Sequence, residues 1–106
     1  MNLAIDKETA MQSGKRFASL VRSEIDSEAL VLLFGSCVKN KANDRSDIDL
    51  AVVSKTFGKN VVENRVRISL LGYRIHPDIE VHAFSAEDWK DVTPFINEIK
   101  KTGVAL

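Results

Sequence analysis

The chain has 106 residues, 44% of them hydrophobic, with Lys+Arg and Asp+Glu both at 15 and a formal net charge of zero. That length suits a single domain spanning residues 1–106, with a modest core and little surplus for a second domain. The balanced charge argues against strong nucleic-acid binding, which needs a basic face, and no segment approaches the roughly eighteen consecutive apolar residues that span a bilayer.

The single cysteine, Cys37, excludes an internal disulfide and fits a reducing cytosol. The first residues, Met1 to Glu8, lack the long apolar run of a signal peptide. A cytoplasmic location is expected.

Taken in chain order, Asp6 can cap a helix that runs to about Ile25, with Phe17, Leu20, Val21 and Ile25 on one side and Gly14 weakening its middle. Ala29 to Phe34 is a short continuous apolar run ending at Gly35, and it reads as a fully buried strand. Asp47 to Val53 reads as a second strand, and Ser54 to Asn60 as a loop. Val61 to Leu71 reads as a helix with Val62, Val66, Ser69 and Leu70 inward, stopped by Gly72. Asp78 to Phe84 alternates as a strand does: Ile79, Val81 and Ala83 face one side, while Asp78, Glu80, His82 and Phe84 face the other. Ser85, with Asp88 three residues on, resembles a capping box opening a helix. Pro94 splits that helix and opens a second helical turn ending near Lys101 and Gly103. Val104 to Leu106 can add a short edge strand. The order predicts an α+β, two-layer fold: a small mixed β-sheet with helices packed on one face.

The chemistry concentrates in Gly35-Ser36 and, ten residues later, Ser46-Asp47-Ile48-Asp49-Leu50. Aspartates at i and i+2 of a strand share a face, with Cα atoms roughly 7 Å apart. Burying two like charges costs free energy unless something positive neutralises them, so Asp47 and Asp49 in an apolar strand point to a divalent cation. Glycine at 35 lets backbone approach a ligand closely. The Ser36 hydroxyl can donate to a phosphate oxygen, and Lys39 can neutralise one. Mg²⁺ takes carboxylate oxygen and leaves positions for substrate phosphates; two such ions about 4 Å apart can activate an attacking hydroxyl and steady the leaving pyrophosphate. A third carboxylate would complete the site, and Asp78 and Glu80 share the correct face. His76 and His82 read most simply as surface or hydrogen-bonded histidines, Cys37 as an incidental small residue, and Trp89 and Phe95 as core.

Gly35-Ser36-x-x-Lys39 followed by Ser46-Asp47-Ile48-Asp49-Leu50 resembles the signature of the DNA polymerase β-like nucleotidyltransferase superfamily. The length and the late segment Pro94 to Val104 resemble its minimal nucleotidyltransferase branch, commonly encoded beside HEPN-domain proteins as a toxin–antitoxin pair. The resemblance implies a nucleotidyltransferase fold and metal-dependent transfer of a nucleoside monophosphate from an NTP, taken as ATP, to a hydroxyl acceptor on a HEPN toxin. It implies Asp47, Asp49 and a later acid as metal ligands and catalytic residues, and Gly35, Ser36 and Lys39 as the nucleotide-binding turn. Glu80 is favoured as the third acid because related sequences carry an acid midway along this strand before Phe/Tyr-Ser, here Phe84-Ser85; Asp78 is the alternative. Asn40 stands where the family usually has a second glycine, and asparagine tolerates left-handed backbone better than other non-glycine residues. Two other functions remain open: a catalytically weak nucleotide-binding antitoxin that masks its partner, and a small-molecule nucleotidyltransferase, whose relatives generally carry an additional acceptor domain.

Overall fold

The structure is a computed structural model and describes residues 6–35, 38, 47–58 and 61–106. Helix α1 (Lys7–Glu24) is followed by β1 (Leu30–Phe34), β2 (Ile48–Ser54), a 3₁₀ turn (Lys55–Gly58), α2 (Val61–Ile75), β3 (Ile79–Ser85), α3 (Ala86–Trp89), α4 (Pro94–Thr102) and β4 (Val104–Ala105). Three helix starts are capped as side-chain chemistry dictates. The Asp6 carboxylate accepts the Thr9 N–H at 2.7 Å, the Ser85 hydroxyl accepts that of Asp88, and the Thr93 hydroxyl accepts that of Ile96 just ahead of Pro94.

The sheet order is β3-β2-β1-β4. β1 is antiparallel to both β2 and β4, whereas β2 and β3 are parallel and joined through the 3₁₀ turn and α2. A parallel pair needs such a crossover. β2 sits inside the sheet, and every residue of it except Asp49 is buried. Pleating divides the strands between two faces. Val31, Leu33, Ile48, Leu50 and Val52 pack under α1 and α2 with Ala10, Phe17, Val21, Ile68 and Leu71. On the opposite face Leu32, Phe34 and Ala51 meet Ile99, with Phe84 and Trp89 packed alongside. The α+β class and mixed sheet are thus as expected. The two long helices share one face, and the short α4 adds a helix on the other.

The reading of α2 is corrected in two respects. Val62, Val66 and Leu70, expected inward, are 78%, 54% and 60% exposed, and Ser69 is exposed too; the buried side is Ile68, Leu71 and Gly72. Gly72 does not stop the helix, which runs to Ile75 just ahead of the His76-Pro77 pair, where proline disfavours continued helix. Its role is close packing: a Cβ there would lie 2.8 Å from Ile79 Cγ2, 3.1 Å from Val81 Cγ2 and 3.5 Å from Phe17 Cε1. α2 carries two apolar stripes at helical spacing, and the absence of a side chain at residue 72 lets one of them settle against β3 and α1.

This orientation gives a sharp expectation for adjacent leucines. Leu71→Ala should cost about 2–5 kcal/mol, the usual range for a buried leucine, and Leu70→Ala should stay within about 0.5 kcal/mol. Urea unfolding of the two variants measures both, and equal losses would contradict the assigned face.

Candidate active site

The registers of the sheet align candidate site residues in a row. Asp49 of β2 is paired with Phe34 of β1 on one side and with Glu80 of β3 on the other. The next row on the same face is Leu32, Ala51 and His82. Parallel pairing therefore brings two carboxylates side by side at the start of β2 and β3, with the imidazole one step further along.

The donor atoms of Asp49, Glu80 and His82 all lie within 4.8 Å of one another. His82 Nε2 is 3.6 Å from Asp49 Oδ1 and 3.9 Å from Glu80 Oε1. The Asp49 side chain is 21% exposed, that of His82 27% and that of Glu80 57%. The cluster is therefore rooted in the sheet and opens to solvent on the Glu80 side. The His82 ring makes edge-to-face contacts with Phe34, at 5.2 Å between centroids, and Phe95, at 5.5 Å, the three rings forming a triangle. A metal held here would meet two carboxylates and an imidazole, a donor set suited to a divalent cation.

Gly35 closes the site from the β1 side. Its φ is +87°, a conformation that side-chain-bearing residues rarely adopt. A Cβ on Gly35 would also run into the Asp49 carboxylate, with Oδ2 as the first atom met. The glycine is needed both for the turn out of β1 and for the space that Asp49 occupies.

The remaining candidates separate clearly. Asp47 immediately precedes β2, is exposed, and lies outside the Asp49–Glu80–His82 grouping. Asp78, the alternative third acid, lies in the exposed turn ahead of β3 and is also outside the grouping. Its carbonyl accepts the Ile48 N–H and its own N–H donates to His76 Nδ1, each at 3.0 Å. Ser36, Lys39, Cys37 and Asn40 lie outside the described residues. His82 is the member that sequence reasoning passed over. Its signal was its place two residues after Glu80 on the same strand face.

Residues 20–106 match the family described as Polymerase beta, Nucleotidyltransferase. The chain belongs to this nucleotidyltransferase family. Membership implies a nucleoside triphosphate substrate, and such enzymes typically use divalent metal, which the Asp49–Glu80–His82 donor set can accommodate. Among solved structures the chain is similar to a protein from Sulfolobus solfataricus described as a candidate nucleotidyltransferase. The two share 22% identity over 91% of this chain and 84% of that one, with a TM-score of 0.52, a likeness of fold. No curated protein matches. Among the described residues no helix is long and apolar enough to cross a membrane.

The turn at Gly35 can be tested apart from activity. Gly35→Ala should destabilise the protein by more than the roughly 1–2 kcal/mol cost of left-handed backbone, because it also displaces Asp49. Adding Asp49→Gly should recover the steric part and leave the backbone part. Thermal melts of the single and double variants check this; a Gly35→Ala protein as stable as the parent would contradict it.

Proposed function

We propose that this protein is a metal-dependent nucleotidyltransferase that moves a nucleoside monophosphate from ATP to a hydroxyl on a protein partner. The reading is carried by one observation: Asp49 and Glu80 stand side by side across parallel strands, with Gly35 against Asp49, in a chain of the nucleotidyltransferase family. Asp47, Asp49 and Glu80 would hold two Mg²⁺ ions. When bound, these supply charge neutralisation for the triphosphate and for the leaving pyrophosphate. Gly35, Ser36 and Lys39 would cradle the phosphates. The acceptor oxygen attacks the α-phosphorus, the bond from that phosphorus to the bridging oxygen breaks, and pyrophosphate leaves. Glu80, the most open member of the cluster, takes the hydroxyl proton and passes it to solvent.

The acceptor is proposed to be a tyrosine or other hydroxyl of a HEPN-domain toxin, which would make this chain an antitoxin. Support comes from the resemblance of its Pro94 to Val104 segment to the minimal branch. The exposed apolar stripe of Val62, Val66, Leu70 and Tyr73 on α2 favours a protein partner over a free small molecule. The same stripe keeps a second reading in play: neutralisation of the partner by binding alone.

Incubation with α-labelled ATP, Mg²⁺ and a HEPN-domain partner distinguishes the two. Label should pass to the partner, and EDTA should abolish that transfer. Asp49→Asn and Glu80→Gln should each lower the rate at least about a hundredfold, since each removes several kcal/mol of transition-state stabilisation. Asp47→Asn should also lose transfer, whereas Asp78→Asn should keep measurable activity. Without substrate, Asp49→Asn should melt at or above the parent temperature, because it relieves repulsion from Glu80. Unchanged transfer by Asp49→Asn would refute the enzyme reading, and partner neutralisation without any label transfer would favour the binding one.

A further inference from the structure

The geometry points to His82 as a direct metal ligand, which would turn the selectivity of the site from Mg²⁺ toward a cation that accepts nitrogen, such as Mn²⁺ or Co²⁺. The inference rests on the metal-dependent reading above and concerns which ion that site takes.

Three observations carry it. The first is spacing. Nε2 of His82 stands 3.6 Å from one carboxylate oxygen and 3.9 Å from the other, too far to hydrogen-bond either. Two donors each about 2.1 Å from one ion lie roughly 3.0 Å apart when at right angles and about 4.2 Å apart when opposite. The two separations fall inside that range, so the gap suits an ion better than a proton.

The second is orientation. Edge-to-face contacts with Phe34 and Phe95 hold the ring on the sheet face that Asp49 and Glu80 share. A ligand held by its neighbours loses little freedom on binding, as a pre-organised site requires. The third is donor chemistry. Mg²⁺ is hard, keeps several waters and binds through oxygen, whereas imidazole suits transition metals. Two carboxylates with one imidazole form a mixed set that Mn²⁺ and Co²⁺ accept and Mg²⁺ uses poorly.

Pulsed electron paramagnetic resonance of the Mn²⁺-loaded full-length protein reads the bond directly, because a coordinated ¹⁴N modulates the electron-spin echo. Calorimetric titrations with Mn²⁺, Co²⁺ and Mg²⁺ report the selectivity alongside. His82→Phe keeps an aromatic ring against Phe34 and Phe95 and removes the nitrogen; His82→Ala is the companion variant, and thermal melts establish that at least one is folded. His76→Ala controls for the other histidine. Nitrogen modulation is expected in the parent and in His76→Ala and absent in the folded His82 variant. Mn²⁺ and Co²⁺ affinity should fall at least about tenfold in that variant, with Mg²⁺ affinity changed less than about twofold. Nitrogen modulation that persists without His82, or its absence from the parent, would overturn the inference. So would Mn²⁺ binding that is unchanged or tighter in the His82 variant, which would make the imidazole a stand-in counter-ion. None of these outcomes bears on nucleotidyl transfer itself, which the labelled-ATP assay decides separately.

Discussion

The parallel pairing of β2 with β3 is the constraint on which the rest depends. Its register sets Asp49 beside Glu80 and Ala51 beside His82. A slip of one residue would turn every β3 side chain to the other face, putting Glu80 and His82 into the apolar layer beneath α2 and exposing Val81. The register is defended by that layer: Ile48, Leu50 and Val52 are fully buried under α1 and α2, and Ile79, Val81 and Ala83 pack against the same cluster. Hydrophobic burial on one face thus holds two like charges together on the other. For unit charges 4 Å apart that repulsion runs from about 1 kcal/mol in water to about 4 kcal/mol at an effective dielectric of 20. Glu80 is more than half exposed, which keeps this pair toward the lower figure. A fold of ordinary stability can carry such a cost and recover it when a cation binds.

The surroundings of the pair follow from the same face. Gly35 gives up a side chain so that β1 can turn beside the Asp49 carboxylate. Phe34, Phe84, Phe95 and Trp89 form a chain of ring contacts running away from the acids along the sheet. The site therefore sits at the end of an otherwise apolar surface, rooted in the sheet at Asp49 and open to solvent at Glu80.

Much of this was legible in the sequence because it is written in short-range signals. Asp6, Ser85 and Thr93-Pro94 mark helix starts through local hydrogen bonds, the unbroken run from Ala29 to Phe34 marks a buried strand, and alternation from Ile79 to Phe84 assigns its two faces. Asp49 and Glu80 were legible for the same reason, since strand periodicity alone puts each on a definite side. What was not legible depended on tertiary contact. Periodicity in α2 offered two stripes, and only the close approach at Gly72 selects Ile68 and Leu71 over Val66 and Leu70. His82 was visible on the Glu80 face, but its approach to Asp49 depends on inter-strand register, which no local signal supplies. Ser36 and Lys39, read from motif spacing, rest on that spacing still.

The central claim is that the paired carboxylates of β2 and β3 hold a cation against a nucleotide. Anomalous diffraction from crystals grown with Mn²⁺ and a non-hydrolysable ATP analogue tests it most directly. The account predicts a metal peak between the Asp49 and Glu80 carboxylates with the analogue's phosphates beside it. Nucleotide bound elsewhere with no peak between those two side chains would contradict it.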